Sequence, residues 1–558
     1  MKHIFIGKNE LGNSVQLGES ELETHVHGIG ASRTGKSKLI EWIAREMIRN
    51  RQGFCLIDPH GFLYDDLVRW LAYFQPDREI ILFEPASDGR IVGFNPFRHV
   101  SGDNLSTLVD RRVQATVKAW GAENTDATPR LEKWLHNLYW ALMERGYSLD
   151  VARYFLLWQE KQMRAHLVRG IRSPTVRSQW EALSSLKNLQ DFWGHIESTE
   201  NRLLFRFLEP PQIRRVMGLH TNSIDLKDII DNGKILLVNL QPKDWLGEDN
   251  ARLIGTLLLS EIWEVARRRK QAPGGRSPSR FSLIIDEFQL FLTPDIPKML
   301  DQSAKYGLHL FLFHQHLSQL KKLDEQAYGA VMANARVKAV FGGLSREDAR
   351  VLAEQIYPGQ IDLKRVKFLI EQTKFWPVYE RDKVYTHGIS SVSAESTIAG
   401  ETWNPTAEEW IPSTRVSSME NVVENEGEAD IPVTRSTPFK EVSSITPYSL
   451  DETLWEFSDR LMEQYQRHFM IRIPGQPTVA AVTPFVKSWY VRPEELAKYK
   501  ERIGGGFLTA KEVDEALFEL HNQLSIAATG RRLHGDPPQE FEPQQMDCAD
   551  TDDEFFDR

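Results

Sequence analysis

The hydrophobic pattern changes period several times along the chain. An apolar-edged run, His25–Gly30, leads into a segment from Lys36 in which Leu39, Ile40, Ile43 and Ile48 recur at helical spacing. Gly53–Asp58 then reads as a strand, Asp65–Ala72 as a helix and Glu79–Phe83 as a strand. Unalternating apolar strands separated by helices predict a parallel sheet buried on both faces. From about Gly102 to Asp225 strand-like runs vanish, and Trp, Leu and Arg recur at helical spacing, as in Leu131–Leu142. The strand pattern resumes at Lys234–Asn239, Phe281–Asp286, His309–Phe313 and Val337–Phe341, with a helix expected at Asp249–Arg268. One α/β sheet interrupted by an all-α insertion is the economical reading.

Around His387–Ile445 the chain fills with Ser, Thr, Glu and Pro, a composition that predicts a flexible linker over 387–447. A small α+β region is expected over 448–530, with a helix at Asp451–Gln466 and extended segments at Phe469–Ile473 and Val479–Val486. Thr509 and Glu512 form a capping box that opens a helix running to about Leu524. The acidic stretch 531–558 is expected to be disordered. The remaining boundaries expected are 1–100 and 226–386 for the two parts of the sheet domain and 101–225 for the insertion.

Composition narrows the function more by exclusion than by direction. Of 558 residues 41% are hydrophobic and 26% charged, ordinary values for a globular protein, and the net charge of −10 excludes a generally basic nucleic-acid coat. A locally charged channel remains compatible with that sum. Two cysteines, Cys55 and Cys548, make no disulfide framework and fit a reducing, cytoplasmic setting. Apolar runs such as Ile235–Leu240 fall far short of the ~20 residues needed to cross a bilayer. No membrane span is expected.

The strongest chemical signal is Gly30-Ala31-Ser32-Arg33-Thr34-Gly35-Lys36-Ser37, placed between a strand and a helix. It matches G-x-x-x-x-G-K-[ST], in which backbone N–H groups and a helix N-terminus cradle phosphates. Lys36 is expected to neutralise β/γ-phosphate charge of ATP, and Ser37 to ligate Mg²⁺. Ser282–Glu287 ends a strand in two carboxylates. Asp286 is assigned to the hydrated Mg²⁺ and Glu287 to the attacking water. Gln315, at the end of the Leu308–His314 run, is placed to sense the γ-phosphate. The histidines His25, His27, His60, His314 and His316 gather near strand ends, but the carboxylate and cysteine complement around them is thin and Mg²⁺ at the phosphates already accounts for the site, so no histidine-bound metal is expected.

The order of these motifs, with Ile57-Asp-Pro-His-Gly61, Gly93-Phe-Asn-Pro96 and Arg214–Gly218, resembles the HerA–FtsK superfamily of P-loop ATPases over about residues 20–355. Within it, the sequence is most similar to soluble relatives of the coupling proteins of conjugative, type IV secretion DNA transfer. The resemblance implies a RecA-like core, homo-hexameric rings and ATP-driven movement of double-stranded DNA. Two contexts fit: conjugation with relaxase and secretion components, or DNA processing and anti-phage defence with an effector nuclease. Coupling proteins carry a trans-acting arginine three residues before the glycine matched by Gly307, where this chain has Ala304. Arg214, Arg336 and Arg346 are the candidate replacements. The alternative reading is an ATP-gated assembly scaffold with slow hydrolysis. Arg267, Arg268, Arg269 and Lys270 form the most basic cluster and are candidates for DNA contact.

Overall fold

The computed structural model describes residues 3–87, 89–98, 104–121, 129–219, 224–243, 246–269, 278–362, 364–386, 394–419 and 427–532. They divide into two units, one comprising Met1–Ile361 with Leu454–Arg558, the other Asp362–Thr453.

The first unit is built on an eleven-stranded sheet. Its strands are β1 (Ile4–Asn9), β2 (Ser14–Leu17), β3 (Val26–Ile29), β4 (Gly53–Asp58), β5 (Ile80–Phe83), β6 (Ile235–Asn239), β7 (Phe281–Ile285), β8 (Leu308–His314) and β9 (Val337–Phe341). After the second unit's strands, β10 (Val366–Thr386), β11 (Ala394–Asn404), β12 (Glu409–Met419) and β13 (Gly427–Pro447), come β14 (His468–Arg472) and β15 (Val479–Val482). The order is β2-β1-β15-β14-β9-β3-β8-β7-β4-β6-β5. The run from β9 to β5 is parallel throughout. The other four strands add antiparallel at the β9 edge.

The near-continuous apolar strands follow from burial on both faces. In β4, Phe54 and Leu56 join one core with the helices Lys36–Arg49 and Phe62–Phe74, while Cys55 and Ile57 join the other. The second core runs into the helix Glu248–Arg267 and into the stretch between β5 and β6, whose described elements are helices. Trp134 and Trp180 are buried there, so those tryptophans serve packing rather than a base-stacking surface.

Three expectations change. Where described, the stretch expected as a linker over 387–447 pairs instead into strands: β10 runs antiparallel to β13 and β11 to β12. Its low apolar content hid β-branched and aromatic residues that suit an exposed ladder, such as Trp403 opposite Trp410 with ring centroids 5.5 Å apart. The region 448–530 is no separate domain from Leu454 onward, because β14 extends the main sheet by pairing with β9. The second part of the sheet domain correspondingly ends near Ile361 rather than at 386. The tail 533–558 and Cys548 lie outside the described residues.

Candidate functional site

The loop 30–37 leaves β3 at its carboxyl end and enters the helix Lys36–Arg49. Gly35 caps that helix at φ 117° and gives it no side-chain cap, so the first-turn N–H groups remain available to an anion. Ser37, the second residue of the helix, is exposed. Gly30 passes under Phe341 so closely that a Cβ would stand 2.5 Å from the Phe341 Cβ. Lys36 is only 5% exposed, and its Nζ donates to the carbonyls of Gly30 (2.5 Å) and Ala31 (3.1 Å). Burial holds its pKa down, while Glu287 and Asp286 nearby act in the opposite sense.

β7 delivers the two carboxylates. Asp286 is buried, and its N–H donates to Ile57 O at 3.1 Å. Burial, then the charges of Glu287 and Asp58, push its pKa from 3.8 to about 7. Glu287 sits at φ 46°, a left-handed conformation of the kind that collects at functional sites. Gln315 Nε2 donates to Glu287 Oε1 at 2.7 Å, and Gln289 Nε2 to Glu287 Oε2 at 2.8 Å. Ser32 Oγ donates to Gln315 Oε1 at 3.0 Å, which ties the loop to the β8 end. Lys36, Asp286, Glu287, Gln315 and Ser32 therefore converge.

The donor set suits Mg²⁺ and a polyphosphate: a buried cation, an uncapped helix start, a hydroxyl at Ser37 and a carboxylate whose charge burial disfavours. The histidines take another role. His27 Nε2 and His314 Nε2 lie 2.7 Å apart in stacked rings, so one ring donates to the other. Burial lowers both, His314 to about 3, and the pair is neutral at physiological pH.

The remaining candidates scatter. Arg214 lines a cavity of about 350 Å³ with Asp150, Asp514 and His521, among helices. Arg346, exposed, has its guanidinium 5.6 Å from the Trp455 ring centre. Arg336 is exposed at the amino-terminal edge of the sheet, the edge that also carries Ala304. In the basic cluster, Arg267 donates to Glu264 (2.7 and 2.9 Å), and Arg268 Nε lies 3.9 Å from the same carboxylate. Arg269 is engaged internally, pairing with Asp231 (3.0 Å) and donating to Tyr306 O (2.8 Å) and Ser279 O (2.5 Å). That engagement removes it as a DNA contact, because its donors clamp the turn before β8. Lys270 lies outside the described residues. Sequence reasoning missed Gln289, Ser32 as a bridge and Arg467, whose N–H donates to Thr34 O at 2.8 Å. Nothing local marks Arg467, since it reaches the loop from more than 400 residues away.

Sheet order, phosphate loop and Asp-Glu strand end define the class: a RecA-like fold with a P-loop nucleotide site. Within it, residues 280–366, which carry Asp286, Glu287 and Gln315, match the family described as the TraM recognition site of TraD and TraG. No curated protein matches by sequence. Among solved structures, the bacterial conjugative coupling protein TrwBdeltaN70 in unbound form is 14% identical, with 88% of this chain and 91% of that chain covered and a TM-score of 0.49. Plasmid coupling protein TrwB with ADP and Mg²⁺ is also 14% identical, covering 86% and 90%, TM-score 0.49. VirB4 of Thermoanaerobacter pseudethanolicus is 12% identical, covering 64% and 88%, TM-score 0.40. Among the described residues no helix is long and apolar enough to cross a membrane.

Proposed function

We propose that the chain is an ATPase that hydrolyses ATP to move double-stranded DNA, acting as a homo-hexameric ring in conjugative DNA transfer. The observation that carries this reading is the convergence of Lys36, Asp286, Glu287 and Gln315, within a chain whose 280–366 segment matches a conjugative family.

Lys36 has to release the Gly30 and Ala31 carbonyls to meet a phosphate, and the helix N-terminus receives the same charge. Ser37 and Asp286 would hold Mg²⁺, which neutralises phosphate charge when bound. Glu287, with both oxygens held by amides, is oriented to accept a proton from water. Gln315 touches both Glu287 and the loop, so loop position is transmitted to the base.

The test is steady-state ATP hydrolysis with and without long double-stranded DNA, beside Lys36→Ala. Severalfold stimulation that the variant abolishes supports the motor. Tight binding with slow, DNA-indifferent turnover overturns it in favour of an ATP-gated scaffold, a reading that Ala304 favours. Relaxase and secretion components are the partners of the conjugative context, and an effector nuclease is the partner in DNA processing or defence.

A further inference from the structure

Asp286, Glu287 and Gln315 stand at β7 and β8, on one side of the phosphate loop. The terminal phosphate of a bound nucleotide therefore faces that side. Its nucleoside has to extend the other way, over the carboxyl end of β9 and its neighbour β14. A segment from the far end of the chain borders that side. Gly343 N–H donates to Met462 O at 3.0 Å, and Arg467 N–H donates to Thr34 O at 2.8 Å. A Cβ on Gly35 would stand 3.0 Å from the Arg467 Cα, a close approach that, with φ 117° at Gly35, favours glycine there. Arg467 is left-handed at φ 71°, and its guanidinium donates to Thr483 O through Nε (3.1 Å) and Nη2 (2.6 Å). That anchoring holds it 5.6 Å from the centre of the Phe485 ring. Phe485 is 74% exposed and Tyr465 is 83% exposed. Two large rings thus flank a segment that is hydrogen-bonded to the phosphate loop.

We propose that Phe485, Arg467 and Tyr465 form the subsite for the base and ribose of the bound nucleoside triphosphate. This rests on the nucleotide-binding reading of the loop and adds a contribution from the C-terminal strand pair. The rings supply π-faces for stacking, and the guanidinium adds a planar cation beside them. Arg467 is fixed through its backbone to Thr34 and through its side chain to Thr483, so the platform is set at a constant place relative to the phosphates. Exposed rings are otherwise a solubility burden, and continuity with the loop names their occupant.

Calorimetric titration of the full chain with MgATP and with inorganic tripolyphosphate separates the two parts of the site. Phe485→Ala is expected to weaken ATP binding about tenfold or more. Tyr465→Ala weakens it less, and neither change moves tripolyphosphate affinity. Phe485→Tyr restores ATP binding, because it restores a ring. Lys36→Ala loses both ligands. If the Phe485→Ala/Tyr465→Ala double variant binds ATP as the wild type does while Lys36→Ala does not, the subsite is wrong and the loop reading stands. Equal loss of ATP and tripolyphosphate in Phe485→Ala also overturns the subsite, since it reports a distorted loop. Undiminished binding of both ligands by Lys36→Ala overturns the nucleotide-site reading beneath it.

Discussion

Asp286 is the residue whose surroundings decide most. Held at about 7 by burial and by Glu287 and Asp58, it favours the protonated form in the folded chain. A carboxylate raised in this way stabilises the fold fully below its ordinary pKa near 3.8, and that contribution disappears as pH rises through about 7. The nucleotide-free protein should therefore melt higher at pH 6 than at pH 8. Asp286→Asn should flatten the difference and raise Tm at pH 8, as scanning calorimetry would read. A pH dependence unchanged in that variant would assign the effect to another group. Mg²⁺ binding must also displace that proton below pH 7, so Mg²⁺ affinity should fall roughly tenfold per pH unit there. Gln315 makes a different prediction, because it touches Glu287 rather than the helix start. Gln315→Ala should lower kcat by about 10²-fold with nucleotide Kd almost unchanged, the signature of lost positioning around a general base.

At the scale of elements, the parallel strands and the loop were legible because each carries its signal locally: a short apolar run, two glycines, a lysine, paired carboxylates. Gln289 and Arg467 were not legible, since their roles exist only once β7 has turned at Glu287 and β14 has paired with β9. The exposed hairpins were missed because composition measures what a segment can bury. It does not register a backbone ladder such as that of β10 with β13. Sheet polarity also sorts the arginines. A residue that acts on a neighbouring subunit should project from the edge opposite its own loop, and Arg336 stands exposed at the edge that carries Ala304. Arg336→Ala should cut kcat by about 10³-fold or more with nucleotide affinity retained. Mixing it with Lys36→Ala subunits should restore part of the activity, because each then supplies what the other lacks. Failure of the mixture to recover would remove Arg336 from a role between subunits.

The whole molecule is organised by which strands complete the sheet. Ending the chain at Thr453 removes β14 and β15, leaves the β9 edge unpaired and should give insoluble protein. Replacing 366–447 with a few glycines should leave Tm of the sheet unit and its nucleotide binding intact, because Tyr448 N–H already donates to Arg365 O at 3.0 Å. Solubility, circular dichroism and nucleotide titration of the two variants make that comparison. The pairing of β1 with β15 has a further consequence during synthesis. The β1–β2 pair cannot join the rest of the sheet until residue 482 has left the ribosome, and the wall beside the phosphate loop waits for residue 467. Folding is thus dominated by distant contacts and finishes late. A product terminated before residue 467 lacks that wall, and until that residue emerges the nascent chain carries its phosphate loop without the support at Thr34.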